Sequence, residues 1–207
     1  MRRNRRKKST IENMMYIDKE SKEMVELWIL RTILTLNGHR EFLSVSRGFS
    51  NDDIAYFLGL DHYVDNYDEE KIKEILQMLK VRLKSLEASD DLTISQTLAR
   101  NIEKVKKLVH LNDVEGDILC FALYLKYYSL MDTATRTLNE LSTDRLISVL
   151  SVLLDHDTDS VKTALSPKAK LAQSGLVTID RRGNYSFESK LDLLSNEFAD
   201  RMMNFDE

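Results

Sequence analysis

A chain of 207 residues with a single proline, Pro167, and six glycines has few places to turn sharply. Strand-rich folds need frequent turn residues, so this scarcity favours helices along most of the length. Hydrophobic residues make up 43% of the chain, enough for one large domain or two small ones. From Lys22 to Leu36 the apolar residues Val25, Leu27, Trp28, Ile29, Ile33 and Leu34 are too dense for a surface helix and predict a central one. It breaks at Asn37-Gly38. In "FSNDDIAYFLGL", Ser50 or Asn51 is the expected N-cap of a short helix whose apolar face is Ile54, Phe57 and Leu58, ending at Gly59. Ile72, Ile75, Leu76, Leu79, Leu83 and Leu86 then mark a long amphipathic helix.

The polar stretch "EASDDLTIS" separates this part from the next. Beyond it Leu98, Ile102, Val105 and Val109 stripe one helix, and Asn112 or Asp113 caps another running through Ile118, Phe121, Ala122 and Leu125. Ser142 caps "TDRLISVLSVLLD", and "DTDSVKTAL" gives a further short helix. Ser166 followed by Pro167 predicts a third helix starting there, with Gly175 just past its end. "LVTID" and "NYSF" then read as two strands around the tip "RRG", and Leu191, Leu194, Phe198 and Met202 as one stripe of a closing helix. The expected fold is mainly α: a helical bundle with helix-turn-helix-like units and a C-terminal winged-helix-like unit carrying one small β-hairpin. The expected divisions are a basic disordered tail at 1–16, a helical subdomain at 17–90, and a helical plus winged-helix-like subdomain at 91–207.

Charge is unevenly distributed. The stretch "RRNRRKK" at 2–8 holds six of 30 basic residues; without it, 24 face 34 acidic ones. An acidic body argues against an extended nucleic-acid surface, although the tail could contact phosphates if translation does not start at Met14 or Met15. No run of about 18 apolar residues predicts a membrane span, and no apolar segment follows the basic start as a secretory signal requires. The single cysteine, Cys120, lies in an apolar run, reads as a buried structural thiol and fits a reducing cytoplasm.

The usual signatures of chemistry are missing. No glycine opens the G-x-x-x-x-G-K-[ST] phosphate loop, and no G-x-G-x-x-G occurs, so ATP hydrolysis is not expected of this chain. Asp155, Asp157 and Asp159 occupy the first three ligand positions of a calcium loop, but Ser160 stands where glycine is needed and Ser166 where a bidentate glutamate is needed. Scattered histidines and one cysteine do not suit zinc, and no G-x-S-x-G elbow marks a nucleophile. No catalytic, cofactor or metal residue is therefore expected.

The wing remains. Lys162, Lys168, Lys170, Arg181, Arg182 and Lys190 outnumber Asp180 and Glu188 between 162 and 190. Lys168, Lys170, Arg181, Arg182, Asn184 and Tyr185 are the candidate contacts to a protein partner or to nucleic acid. On DNA the third helix would enter the major groove and the arginine tip would reach phosphates or the minor groove. That helix, "PKAKLAQS", is short, and Gln173 is its only amide suited to a base edge. Protein packing is the better reading of the wing.

Three segments carry a resemblance to a known family. "ELWILRTILTLNGHREFLSVSRGFSNDDIAYFLGL" resembles the opening of a group of large bacterial AAA-type ATPases. "TLARNIEKVKKLVHLNDVEGDILCFALYL" is similar to the helical segment that follows in them, and the stretch from Leu146 to Met203 is similar to their winged-helix-like piece. The most specific strings are "LARNI", "SGLVTID" and "KLDLLSNEFADRM", which are core and turn residues. The resemblance implies a non-catalytic N-terminal region that recognises a partner or substrate and couples it to an ATPase module in cis. The phosphate loop, ATP and Mg²⁺ would belong to that module, and the chain would be an excised domain or a truncated gene product. The alternative is a winged-helix DNA-binding regulator using the wing and the basic tail. A third reading is a folded remnant without a task.

Overall fold

The computed structural model of the protein describes residues 17–44, 48–64, 68 and 70–206. The expected basic tail at 1–16 lies outside the described residues. The chain is mainly helical, with two small two-stranded antiparallel sheets. In order, the first elements are α1 (Lys22–Leu30), continued by a π-helical turn (Arg31–Thr35), α2 (His39–Phe42), β1 (Leu43–Ser44), β2 (Gly48–Phe49), α3 (Asp52–Phe57), α4 (Asp61–Val64) and α5 (Lys71–Glu87). There follow α6 (Gln96–Val109), α7 (Asp113–Tyr127), α8 (Ser129–Thr135) with a 3-10 turn (Arg136–Leu138), α9 (Thr143–Leu154) and α10 (Thr158–Ala164). The last are α11 (Lys170–Gln173), β3 (Val177–Ile179), α12 (Phe187–Lys190), β4 (Leu191–Leu193) and α13 (Asn196–Asn204).

The core forms around α7, which buries Ile118 through Leu125 without interruption. A helix apolar on every side must sit inside other helices, and α8, α10, α6 and α13 all pack on this one. Trp28 of α1 meets Phe121 and Tyr124 edge-on, at ring separations of 5.1 and 5.3 Å, and Phe187 reaches Phe121 at 5.7 Å. Each such ring pair contributes about 0.5–1.5 kcal/mol beyond the buried area.

The amphipathic stripes lie as the spacing predicts. On α5, Ile75, Leu79, Leu83 and Leu86 are buried; on α6, Leu98 and Ile102 are. A bidentate pair adds to α5's apolar seat: Arg82 Nε and Nη2 donate to Glu26 Oε1 and Oε2 at 2.8 and 2.9 Å, joining α5 to α1. That carboxylate raises the Arg82 guanidinium above its ordinary value. Asn37 takes the left-handed turn after the π-helical segment (φ 62°). Gly38 has a different reason to be glycine: a Cβ there would fall on the Thr137 hydroxyl and 2.7 Å from the Thr32 carbonyl oxygen.

The expected boundary at 90–91 falls in the irregular connection 88–95, whose C-terminal end is tied to the residues just before α1. Thr93 Oγ1 donates to the Glu20 carbonyl at 3.0 Å, and the Ser95 N–H to Ser21 Oγ at 3.0 Å. Buried apolar residues on both sides of this connection form one contiguous cluster.

Two local expectations are corrected. The strand partner of "LVTID" is not "NYSF". β3 pairs with β4 instead, in the register Val177↔Leu193, Thr178↔Asp192 and Ile179↔Leu191. "LDL" alternates buried, exposed, buried, as a strand packed on one face must. Phe187 instead turns inward to Phe121 and opens the short α12, capped by Ser186. Leu191 therefore belongs to a strand, and the closing helix starts later, where Ser195 Oγ accepts the Phe198 N–H at 3.0 Å.

The third helix likewise does not start at Pro167. It is the single turn Lys170–Gln173, and its preceding residue, Ala169, has no capping side chain. The cap comes from α7: Glu115 Oε1 accepts the Lys170 N–H at 2.8 Å and the Leu171 N–H at 3.4 Å.

Candidate functional site

The wing candidates surround the long connection between β3 and β4, residues 180–190. Its geometry begins with Lys190, the last residue of α12 and wholly buried. A buried ammonium must place its protons on acceptors. Lys190 Nζ donates to the carbonyls of Asp180 (2.6 Å) and Gly183 (2.8 Å) and to Thr143 Oγ1 (3.2 Å), and lies 5.8 Å from the centre of the Tyr185 ring. One side chain thus holds both ends of the turn and fastens it to α9.

Further bonds fix the tip. Asp180 Oδ1 accepts the Arg182 N–H at 2.8 Å, and that bond holds the Asp180 carboxyl below its usual range, helped by the Arg182 and Lys190 charges. Gly183 supplies the positive φ of 60° that the turn needs. Arg181 Nη2 donates to the Leu165 carbonyl at 2.7 Å, at the end of α10, where a cation also faces the negative end of the helix. Tyr185 exchanges two backbone bonds with Leu141, at 2.7 and 3.3 Å.

The six candidates therefore differ in what they offer. The Arg182 side chain is almost fully exposed (91%) and among the described residues meets only the Asp180 carboxylate, at 3.5 Å. Asn184 and Tyr185 are exposed beside it in the chain. Lys168 and Lys170 are exposed at the start of α11. The Arg181 bond to Leu165 draws the tip towards the segment that carries them. Lys190, counted among the basic residues of this stretch, places its charge inside. Glu188 pairs with Lys126 at 3.5 Å and reaches Arg136 at 4.0 Å.

Two anchors escaped the sequence reading. Lys190 gave no signal, because a lysine in a basic stretch reads as surface. Glu115 did give one: "NDVE" at 112–115 has capping-box spacing, and both bonds of the box are present, at 2.9 and 3.0 Å. Only its second task, capping α11, lay outside local sequence.

The aspartates at the junction of α9 and α10 serve the helix ends, with Asp159 in the first turn of α10. Asp155 adopts the left-handed conformation that closes α9 (φ 58°). Asp157 caps α10 by accepting the Ser160 N–H at 2.9 Å, and its bonds to Ser160 hold its carboxyl below the usual range. Among the described residues no group of three His, Cys, Asp or Glu side chains could hold a metal ion. Cys120 is buried, and burial pushes its thiol well above the ordinary value. No helix among the described residues is long and apolar enough to cross a membrane.

The tip can present the Arg182 cation, an amide and an aromatic ring on a backbone held from within. No protein-family model, no curated protein and no solved structure matches this chain.

Proposed function

We propose that the chain is the non-catalytic N-terminal region of a bacterial AAA-type ATPase, which recognises a protein partner and couples it to a nucleotide-hydrolysing module in cis. ATP and Mg²⁺ belong to that module, and the setting is the reducing cytoplasm. The link to an ATPase rests on the sequence resemblance over residues 24–203. In this reading α9, α10 and α11 with the β3–β4 pair form the winged-helix-like unit.

One observation favours a protein partner over DNA: the element in the place of a recognition helix, α11, is one turn long, and Glu115 takes its leading amides. A helix that reads bases enters the major groove with its first turns free to contact them. Arg182, Asn184 and Tyr185 at the tip suit a protein interface, where arginine and tyrosine are enriched.

The DNA-binding alternative has its own support in the exposed cations Lys162, Lys168, Lys170, Arg181 and Arg182 within one short stretch. Fluorescence anisotropy with a labelled mixed-sequence duplex at low salt separates the two. The protein-partner reading expects no saturable binding. Saturable binding that weakens and loses salt dependence in Arg181→Ala/Arg182→Ala would favour the regulator.

A further inference from the structure

A cleft of about 410 Å³ opens between α1, the connection 88–95, α7 and the end of α9. That volume lies inside the ~300–1,000 Å³ range of small-molecule sites, which are mostly apolar with a few placed polar groups. The apolar lining includes Leu27, Trp28, Ile94, Cys120 and Leu153.

The charges at its edge do not balance. Arg31 is engaged: its Nε lies 3.2 Å from Glu87 Oε1, and its Nη1 donates to the Leu153 carbonyl at 2.9 Å. Those two residues neutralise one another. Among the described residues Asp117 shares only Oδ2 with a neighbour, His156 Nε2 at 2.7 Å, and its side chain is 56% exposed. The Asp155 carboxylate has no hydrogen bond or ion pair among the described residues, and it lines the same cleft. An apolar lining beside two under-used carboxylates complements a ligand that is apolar and positively charged.

A second observation concerns Trp28. It lines the cleft, is only 5% exposed, and its indole N–H donates to no acceptor among the described residues. Buried donors are nearly always satisfied, by protein, water or ligand. An oxygen on the ligand would supply the missing acceptor.

We propose that this cleft binds a small amphipathic amine, its apolar body over Leu27, Trp28 and Leu153, its ammonium on the Asp117 and Asp155 side, and an oxygen acceptor for the Trp28 N–H. The site is separate from the 180–190 loop and does not depend on the partner-binding reading.

The molecule carries its own reporter: Trp28 is the only tryptophan. The test titrates three probes that differ only at the head group region: 4-methoxyphenethylamine, 4-methoxyphenethyl alcohol and 3-(4-methoxyphenyl)propionate. Trp28 emission is followed with excitation at the red edge. The amine saturates the emission change and binds at least about tenfold tighter than the carboxylate, with the alcohol between them. Asp117→Asn/Asp155→Asn, two changes at exposed positions, removes the amine's advantage and leaves the alcohol within about twofold of its wild-type affinity. No saturable change with the amine, equal or tighter binding of the carboxylate, or an undiminished amine preference in the folded double variant would overturn the proposal. The three-probe comparison on the unaltered protein decides it even if the variant does not fold.

Discussion

Around α7, order comes from apolar area shared among many side chains; in the turn from Asp180 to Tyr185, before Phe187 joins that core, it comes mainly from hydrogen bonds to backbone atoms. Trp28, Phe121, Tyr124 and Phe187 touch in a chain of rings, so each ring has several neighbours to fall back on. The turn rests on fewer ties, among them the two backbone bonds between Tyr185 and Leu141. Lys190 alone meets two of its carbonyls, and Arg181 alone ties its tip to α10. Loss of a ring should therefore weaken the whole molecule, whereas loss of an anchor should free one segment.

The largest effect tests the first half of that contrast. Phe121→Ala is expected to cost about 3–5 kcal/mol in urea unfolding, with amide protection falling together across α7 and the loop. A response confined to α7 would break the contrast from the core side. Next comes Lys190→Met, which keeps an apolar stem but leaves the Asp180 and Gly183 carbonyls without their donor. Its expected cost is about 2–3 kcal/mol. Trypsin should then cut at Arg181 and Arg182 faster than in the unaltered protein, while α7 amides keep most of their protection. Uniform loss of protection would mean that the loop is not separately held. The smallest is Glu115→Gln, which keeps one acceptor oxygen but removes the charge-assisted bonds to Asn112, Lys170 and Leu171. A cost of about 1 kcal/mol is expected, with faster amide exchange concentrated at Lys170 and Leu171.

The same contrast explains what could be read from sequence. Periodicity reports area shared along one helix face, so the stripes of α5 and α6 were legible from Ile75 to Leu86 and from Leu98 to Ile102. Caps act within three residues, and Asn51, Asn112 and Ser142 serve where their sequence context puts them. The 180–190 region depends on partners far along the chain. Ser166-Pro167 has the form of a helix start, yet α11 is capped from Glu115, 55 residues before Lys170. "LDL" is too short to announce a strand against the competing helical spacing of Leu191, Leu194 and Phe198. Lys190 looks like surface charge until Thr143, Asp180 and Gly183 are seen around it. Of the candidate site, the exposure of Arg182, Asn184 and Tyr185 was legible; the scaffold that holds them was not.

The claim that this region serves an ATPase in cis is tested most directly by the size of the native protein. An antibody raised against residues 70–206 would be used to blot and immunoprecipitate from a lysate of the cells that make it. The account predicts a polypeptide far larger than the 24.1 kDa of this chain, precipitating with ATPase activity that vanishes without Mg²⁺. A 24.1 kDa polypeptide precipitating with no ATPase activity would contradict it.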